Sequence, residues 1–475
     1  MREFAVIGGG IGGCSAAALL NAEKKEVVLF EKEEYLGGCA STFCRDGRLY
    51  NAGATTLSGY GEGERVKKMF EKIGVYPKVI ESDPAITVIH QNKTIRRFRD
   101  LEMFLGEIQK GYPDENHKRF WESIIKIQND FYDQTGYYYS GGSISKKIIS
   151  LFSFIPLFAG FFPLPVLNGK KWVESFYGKL TPEYEDFLNG QVLIVAQATI
   201  DKISALALIL SLGYAFRQTH YPIGGMGAIC DTLVSKVEDI RKNSEVKSIQ
   251  KLKDGFRITT NSDTLEAENI VFGGSIFDNT ELFSDKEIKD YFAQYKYLDN
   301  KQSAFVVYLT IKSDKKFDHH YQLIAKERIK YTISKAVFVS FSDSSDNIIS
   351  KNGEYSVTAS IHVDATEWTG LSKTEYGAKK ATLCSFLIEW ICKSLEIDGS
   401  SVIDSFAATP KTFYRFTKRV QLGGNAMSLA NPVFRLPPND ARIKGLYMVG
   451  DTVYPAQGWP GVVSGVENLS KVLKV

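Results

Sequence analysis

The spacing of apolar and polar residues predicts a βαβ unit at the beginning of the chain. Residues 3–7 predict a buried strand, a glycine-rich turn spans 8–13, a helix follows at 14–22, and a second strand covers 26–30. A unit of this kind lays two parallel strands side by side and joins them through a helix. The chain therefore begins with the building block of a doubly wound α/β domain.

Helical and strand-like patterns alternate along the rest of the chain. Helices are predicted over 62–80, 100–135 and 180–212, and through Leu233, Val234 and Val237 after the motif Tyr221-Pro222-Ile223-Gly224-Gly225. Strands are predicted within 244–272, with a hairpin turn at 253–255, and at 304–311, 336–342 and 355–363. The last three runs indicate an antiparallel sheet that forms the floor of a second domain.

These patterns predict an α/β protein whose first domain is discontinuous in sequence. Residues 1–80, 213–290 and 415–475 are assigned to a three-layer Rossmann-type domain. Residues 81–212 and 291–414 are assigned to an α+β domain built on the antiparallel sheet. The length of 475 residues suits two domains of about 200 residues each. We expect a ligand to lie between them.

One apolar run, Ile148–Leu167, stands apart from these patterns. It contains twenty residues without a charge and has Lys146 and Lys147 before it and Lys170 and Lys171 after it. The length suits a membrane span, but its three prolines break helical hydrogen bonding, which is costly in lipid. The run therefore predicts a segment that dips into one leaflet, with lysines at the headgroups. A buried core segment or a pocket lining is the alternative.

Composition narrows the possible partners. Apolar residues make up 44% of the chain and charged residues 24%, and the net charge is +3. The Lys and Arg residues are interspersed with Asp and Glu, which argues against a nucleic-acid partner. The six cysteines lack zinc-site or redox-pair spacing, so we expect reduced thiols and no metal. The first strand begins almost at the N-terminus without a signal-peptide pattern, which favours the cytoplasmic side.

The glycine-rich turn predicts a dinucleotide site. Gly8 permits a tight turn after the strand, Gly10 lets the backbone approach a diphosphate, and Gly13 lets the helix pack close to the strand. Glu31 ends the second strand, where its carboxylate can accept hydrogen bonds from ribose hydroxyls. The run Glu31–Ser41 resembles the double-glycine extension of large flavoenzymes related to amine oxidases, which favours FAD over NAD.

A second motif lies near the other end of the sequence. A predicted strand ends at Gly450 and Asp451, which places a carboxylate where it can bond a ribityl hydroxyl. Gly458–Gly461 then opens a helix whose N-terminus can stabilise negative charge on a flavin. Together, the two motifs predict a flavin domain assembled from both ends of the chain.

These motifs, with Tyr50–Ala54 and Tyr221–Gly225 between them, resemble the carotenoid desaturase, carotenoid isomerase and retinol saturase family of FAD-dependent oxidoreductases. The run Gly450-Asp451-Thr452-x-Tyr454-Pro455-x-Gln457-Gly458 is the most family-specific part. The resemblance covers nearly the full length. Its diagnostic motifs, however, are confined to the flavin domain.

The resemblance implies which residues bind the cofactor. The residues implied for the ADP half and the adenine region are Gly8, Gly10, Ile11, Gly12, Gly13, Glu31, Lys32, Gly37, Gly38, Ser41 and Val246. Those implied for the ribityl and isoalloxazine end are Ala54, Thr55, Gly450, Asp451, Gln457, Gly458, Trp459 and Val462. Trp459 departs from the smaller apolar residue that the family pattern suggests, so the local pocket shape is expected to differ.

The sequence shows no ordered catalytic acid or base. None of the six histidines falls in a recognisable dyad or metal spacing, and for a single histidine a surface or structural role is the simpler interpretation. His319 and His320 follow a charged loop. His220, His362 and Arg415 are kept as candidates because of their places beside the motifs and the predicted sheet.

The resemblance implies hydride exchange between a flavin and a carbon of a hydrophobic polyene or isoprenoid, giving desaturation, saturation or cis-trans isomerisation. The electron partner stays open among a quinone, oxygen and a reduced carrier. Two alternatives are a flavin amine oxidase and a non-catalytic prenyl-binding escort protein of the same fold. A peripheral membrane protein is expected, because such a substrate resides in the bilayer.

Overall fold

A computed structural model describes residues 1–134, 137–455 and 457–474 of the chain. Its strands are β1 Arg2–Ile7, β2 Val27–Phe30, β3 Thr42–Arg45, β4 Arg48–Asn51, β5 Leu57–Ser58, β6 Val79–Ser82, β7 Ile86–His90, β8 Lys93–Arg97, β9 Thr219–Pro222, β10 Asp239–Arg241, β11 Val246–Leu252, β12 Gly255–Thr260, β13 Thr264–Phe272, β14 Gln302–Lys312, β15 His320–Ile324, β16 Ala336–Phe341, β17 Glu354–Asp364, β18 Val402–Ala408 and β19 Leu446–Met448.

The helices alternate with these strands. They are α1 Ile11–Ala22, α2 Arg65–Ile73, α3 Leu101–Gly111, α4 His117–Tyr132, α5 Ile144–Ser153, α6 Ile155–Phe161, α7 Gly169–Tyr177, α8 Pro182–Ala196, α9 Ala205–Gly213, α10 Met226–Leu233, α11 Lys286–Ala293, α12 Lys373–Ser394, α13 Pro410–Thr417 and α14 Gly458–Leu473.

The first sheet is assembled from distant parts of the sequence. Its strand order is β10-β2-β1-β13-β12-β11. The short strand β19 pairs with residues 270–272 of β13, past the part of β13 that pairs with β12. The pairs among β10, β2, β1, β13 and β19 are parallel, whereas β11, β12 and β13 form an antiparallel meander. Residues 4–7 of β1 and all of β2 are buried and apolar on both faces, as expected of parallel strands covered on both sides. This is the predicted discontinuous Rossmann-type architecture.

Helices cover one face of this sheet. α1 packs against α14, α2 and α10, and their apolar residues join β1 and β2 in one core cluster. The opposite face carries a second cluster formed with the meander, α11 and part of α6. α14, near the end of the chain, is therefore an integral layer of the domain that begins with β1.

The second sheet has the order β18-β14-β17-β16-β15-β7-β8. The predicted runs at 304–311, 336–342 and 355–363 are its strands β14, β16 and β17, and their mutual pairing is antiparallel. One pair departs from the prediction, since β15 and β7 run parallel. The β7–β8 hairpin comes from an earlier segment of the chain; β7 pairs with β15, and β8 forms the edge of the sheet on that side.

The two faces of the second sheet have different neighbours. Leu383, Leu387 and Ile391 of α12 pack against one face together with alternate residues of β14, β16 and β17. The other face is turned towards the cavity described below. The strands of the two sheets lie on the predicted sides of the domain boundaries, but the boundaries themselves stay a prediction.

Some local predictions were wrong in extent. The helix predicted over 62–80 is limited to α2, since Gly74 ends it in a left-handed conformation with φ of 72°. The helix predicted through Val237 ends at Leu233. The hairpin at 253–255 is confirmed, because Leu252 pairs with Gly255 across a two-residue turn.

The apolar run at 148–167 forms the short helices α5 and α6. Its helical part, Ile144–Phe161, is long and apolar enough to cross a membrane by length and composition, and 22% of it is buried. The helix is interrupted at Phe154, and Pro156 lies in the first turn of α6, where its missing N–H costs little. The break gives two short helices, which fits a surface segment better than a continuous span.

Candidate functional site

A cavity of about 2340 Å³ joins the glycine-rich turn of the first sheet to the open face of the second. Pockets for drug-sized ligands occupy about 300–1,000 Å³, so this cavity has room for a dinucleotide and a second long ligand. Its lining includes Gly8, Gly10, Ile11, Gly12, Glu31, Lys32, Gly37, Gly38, Ser41, Ala54, Thr55, Val246, Gly450, Asp451, Gln457, Gly458, Trp459 and Val462. Residues from both ends of the sequence thus meet in one cavity, and their role in cofactor binding stays a prediction.

The glycine turn has the geometry of a dinucleotide cradle. Gly8 has φ of 99°, which favours glycine. A Cβ at Gly13 would lie 1.9 Å from the Gly8 carbonyl oxygen, so Gly13 is required for the contact of α1 with β1 rather than for lining the cavity. A Cβ at Gly10 would meet no atom within 4 Å. The space beside Gly10 fits a diphosphate at the N-terminus of α1.

Glu31 is fixed at the end of β2. Its Oε2 accepts a hydrogen bond from the Gly9 amide at 2.8 Å, and its Oε1 accepts one from the Glu33 amide at 3.0 Å. Burial raises the pKa of Glu31, while these two hydrogen bonds act in the opposite direction. Each carboxylate oxygen can accept more than one hydrogen bond, so Glu31 can still bind ribose hydroxyls.

Asp451 carries an ion pair that the sequence interpretation missed. Arg419 donates from Nη2 to Asp451 Oδ1 at 2.7 Å, and the two side chains are 16% and 20% exposed. The Nε of Arg419 is buried and has no hydrogen-bond partner among the described residues. The charge of Asp451 raises the pKa of the guanidinium against the effect of burial. Arg419 is therefore a cation in the cavity wall that is fixed by its ion pair with Asp451.

The open face of the second sheet forms a regular floor to the cavity. Strand register places Phe406, Tyr308, Thr358, Ser340 and His320 opposite one another in one row across five strands. The next row contains Ala408, Val306, Ser360, Phe338 and Gln322, and beyond it Ala304 lies opposite His362. These rows, apart from Gln322, line the cavity and are called the cavity floor below.

A hydroxyl and imidazole cluster closes one end of the first row. Thr55 Oγ1 lies 2.8 Å from His320 Nε2 and 2.8 Å from Ser340 Oγ. The imidazole rings of His319 and His320 stack at a centroid distance of 4.3 Å. Burial and the charge of His319 lower the pKa of His320 well below its usual value, so its ring is neutral at neutral pH. Of the two simple interpretations of a single histidine, surface or structural, His320 fits the structural one, since its ring is hydrogen-bonded to Thr55 and Thr56 where it lines the cavity.

The three candidate catalytic residues, His220, His362 and Arg415, lie in different parts of the structure. His362 lies on the cavity floor, and burial lowers its pKa to about 4. His220 is buried in β9 against Tyr60 and does not line the cavity. Arg415 is exposed on α13 and lies outside the cavity lining. Of the three candidates, only His362 can face a ligand in this cavity.

The cavity reaches the protein surface through an apolar mouth. This mouth is lined by Phe131, Tyr137, Phe154, Leu157, Phe158, Pro165, Val166, Leu206, Leu210, Val433, Phe434 and Leu436. Most of these residues belong to one apolar cluster. Val166 is 57% exposed and Phe434 is 49% exposed, so the opening lies beside α6 and the loop that contains Phe434. The run at 148–167 therefore lines the cavity with one part of its surface.

The rest of the run faces outward. Its exposed apolar side chains are Ile148, Ile149, Leu151, Phe152, Ile155, Phe162 and Val166, preceded by Ile144. Lys146 and Lys170 are engaged with Asp440 and Glu185, whereas Lys147 and Lys171 are exposed and form no ion pair with the described residues. The run thus has one side that lines the cavity and another that is exposed, and contact of the exposed side with a membrane stays a prediction. No group of three or more possible metal ligands occurs in residues 1–134, 137–455 and 457–474.

Comparison with known proteins gives consistent results. The NAD(P)-binding Rossmann-like domain family matches residues 6–73. The chain is 26% identical to a chloroplastic prolycopene isomerase of Daucus carota, over 96% of this chain and 78% of the isomerase. It is 24% identical to a 1-hydroxycarotenoid 3,4-desaturase of a Flavobacterium species, over 97% and 96% of the two chains.

Solved structures resemble the fold over the whole chain. An oxidoreductase from Methanosarcina mazei has a TM-score of 0.66 and 16% identity, covering 99% of this chain and all of its own. A putrescine oxidase bound to putrescine has a TM-score of 0.63 and 14% identity, covering 100% and 98% of the two chains. At these identities the likeness concerns the fold alone, a Rossmann-type sheet joined to a second sheet.

Proposed function

The chain belongs to the carotenoid desaturase and isomerase family of oxidoreductases, and on that premise we propose that it is an FAD-dependent enzyme acting on a hydrophobic polyene taken from a membrane surface. One observation supports the proposal above all others. A single cavity connects the glycine cradle with an apolar mouth, and the mouth opens beside helices that expose apolar side chains.

The residues of the cavity fit the two halves of FAD. The glycine turn, the N-terminus of α1 and Glu31 suit the ADP half, and Val246 lies where its backbone can contact the adenine. Asp451, held by Arg419, suits the ribityl hydroxyls. The N-terminus of α14 favours negative charge at the far end of the cofactor. FAD bound there would supply hydride exchange with a carbon of the polyene.

The cavity floor suits an elongated apolar substrate. Val306, Ala304 and Phe338 provide a flat apolar surface next to the Thr55 and His320 cluster. Thr55, Ser340 and His320 satisfy one another, so their polar atoms are not left unpaired beside a hydrocarbon. His320, being neutral, adds no charge to a site for an uncharged chain.

We further propose that α5 and α6 attach the protein peripherally to the cytoplasmic side of a membrane. The exposed apolar side chains can enter the boundary between headgroups and acyl chains, and Lys147 and Lys171 can contact anionic headgroups. The apolar mouth would then face the acyl chains, from which a polyene can enter without crossing water.

The test begins with an absorbance spectrum of the purified protein. It continues with liposomes that carry carotenoid precursors, under oxidising and reducing conditions and with quinone or oxygen as acceptor, and the products are separated by chromatography. Flavin bands together with an altered polyene spectrum are the expected result and give the direction of the reaction. Flavin without polyene turnover favours the amine oxidase alternative, and a colourless protein that binds no added FAD favours the prenyl-binding alternative.

A further inference from the structure

The glycine motif Tyr221–Gly225 lies outside the cavity lining, although it is one of the motifs that carry the family resemblance. It connects β9 to α10, whose first two residues are Met226 and Gly227. Residues 221–227 are called the junction segment below. One end of this segment contacts the loop between β16 and β17, and the other end contacts the β3–β4 hairpin.

Asp346 fixes the loop between β16 and β17 to the junction segment. Its Oδ2 accepts hydrogen bonds from the Tyr221 hydroxyl at 2.6 Å and from the Gly224 amide at 2.8 Å. Its Oδ1 accepts one from the Ile348 amide at 3.0 Å. Tyr221 and Asp346 are each 1% exposed. Burial and the charge of Asp346 raise the pKa of Tyr221, so its hydroxyl keeps its hydrogen and donates it.

Two aromatic rings connect this anchor to the cavity floor. The ring of Tyr221 packs against the edge of His319 at a centroid distance of 5.0 Å. Nδ1 of His319 lies 2.7 Å from the carbonyl oxygen of Phe341, the last residue of β16. His319 in turn stacks on His320, which lines the cavity. The end of the first floor row is therefore supported from behind by Tyr221 and His319.

The other end of the junction segment holds the β3–β4 hairpin. The Met226 amide donates to Asn51 Oδ1 at 2.9 Å, and the Gly227 amide donates to Thr42 Oγ1 at 2.9 Å. Gly225 has φ of 86°, and a Cβ there would lie 2.4 Å from Thr42 Oγ1. A glycine is required at this position because the hairpin approaches the backbone so closely.

The hairpin lies between the residues implied for the cofactor and the cavity floor. It begins directly after the double-glycine extension Glu31–Ser41 and leads to Ala54 and Thr55, which line the cavity. The Asn51 carbonyl accepts a hydrogen bond from the Thr358 hydroxyl, in the first floor row, at 3.1 Å. One segment thus contacts both the hairpin beside the cofactor residues and the loop that supports the floor.

We propose that Tyr221 and Asp346 are positioning residues, which hold the cavity floor at a fixed place relative to the residues implied for the cofactor. Neither lines the cavity, so both act through His319 and the hairpin. Reacting atoms must approach to about 3–3.5 Å, and a shift of about 1 Å can slow a reaction about a hundredfold. A displaced floor would therefore slow conversion of a polyene without removing any contact with it. This inference rests on the proposed function.

The first experiment replaces Tyr221 by phenylalanine, which keeps the ring against His319 and removes only the hydroxyl. The flavin-loaded full chain is assayed with acyclic carotenes in phosphatidylcholine vesicles. We expect turnover to fall about tenfold to a hundredfold, while the Kd for the carotene and the FAD occupancy change by about twofold or less. A loss of rate without a loss of affinity is the expected sign of misplacement.

The second experiment measures hydrogen exchange in the ligand-free chain and needs no turnover. In Tyr221→Phe, the amides of residues 338–350 should exchange faster, because Asp346 loses one of its anchors, whereas β1 should be unchanged. Tyr184→Phe is the matched control. Tyr184 is 5% exposed, its hydroxyl donates to the Tyr177 hydroxyl at 3.1 Å, and it lies outside the cavity lining. This control should leave turnover and exchange at 338–350 unchanged.

Two substitutions of Asp346 test the anchor from its other side. Asp346→Asn keeps an acceptor oxygen for Tyr221 and Gly224, whereas Asp346→Ala removes it. We therefore expect the asparagine variant to retain more turnover and slower exchange at 338–350 than the alanine variant. Equal losses in the two variants would count against the anchor.

Each outcome supports or overturns the inference. Unchanged turnover in Tyr221→Phe, or an equal loss in Tyr184→Phe, overturns it, and so does a Kd that rises as much as the rate falls. If the unaltered protein converts no carotene, the proposed function fails, and hydrogen exchange alone decides whether Tyr221 positions the floor. Unchanged exchange at 338–350 in Tyr221→Phe then overturns the inference as well.

Discussion

The outward face of α5 offers the sharpest test of membrane attachment. Leu151 is 71% exposed and Phe152 is 64% exposed, and neither lines the cavity. Full burial of a leucine or phenylalanine side chain is worth about 1.5–3 kcal/mol, so the exposed parts of these two are worth about 2–4 kcal/mol together when they enter lipid. Replacing both by serine should weaken liposome binding about 30-fold to several hundredfold.

The assay is co-sedimentation with vesicles that contain anionic lipid, over a range of lipid concentrations. Folding should be nearly unaffected, because surface substitutions change stability by about 0.5 kcal/mol or less. The matched control is Phe386→Ser with Ile403→Ser, two side chains that are each 46% exposed elsewhere on the second domain. Undiminished binding of the Leu151 and Phe152 variant, or an equal loss in the control, would refute the assignment of this face to the membrane.

Three further predictions concern the cofactor cradle and the histidines. Gly10→Ala should fold normally, since a Cβ there meets no protein atom within 4 Å, but it should lose FAD because that Cβ takes up the space proposed for the diphosphate. Gly13→Ala should lower the thermal midpoint, because its Cβ would lie 1.9 Å from the Gly8 oxygen. Equal melting curves for the two variants would contradict this contrast. Asp451→Asn should lower both FAD occupancy and stability, because it leaves Arg419 without its counterion; for this partly buried pair we expect a loss of about 1–3 kcal/mol. Adding Arg419→Gln should recover part of the stability in urea denaturation, and strictly additive effects would count against the coupling. Each of the six histidines has a lowered pKa in the folded chain, so the unfolded state binds more protons in acid. The stability that they contribute should be fully present above pH 6.5 and should fall as the pH drops towards about 4, the pKa of His362 in the folded chain. A urea midpoint that does not change over this pH range would contradict the prediction.

Local patterns were sufficient to predict the parts of the site that depend on neighbouring residues. The turn from Gly8 to Gly13 needs three glycines at a fixed spacing between a strand and a helix, and that spacing is visible in the sequence. The strands β14, β16 and β17 are visible because alternate residues are apolar. The register among them, which creates the rows of the cavity floor, cannot be predicted from the sequence of any single strand.

The residues that were missed act through partners far away in sequence. Arg419 pairs with Asp451, 32 positions later, and His320 meets Thr55 across 265 positions. Neither pair has a spacing that a sequence pattern could reveal. The parallel pairing of β15 with β7 was missed for the same reason. The apolar run at 148–167 was identified from composition, but its division into a cavity side and an outward side depends on packing.

The position of β19 and α14 has a consequence for biosynthesis. β19 completes the edge of β13, and α14 packs on α1, so the cradle formed by the first thirty residues lacks a strand and a covering helix until residue 473 has left the ribosome. During translation, α1 of the early βαβ unit therefore lacks its contact with α14 while the second domain is synthesised. Because the site needs both ends of the chain, we expect a dinucleotide to bind only after translation, and we expect a chain that stalls late in synthesis to expose an unpaired strand edge.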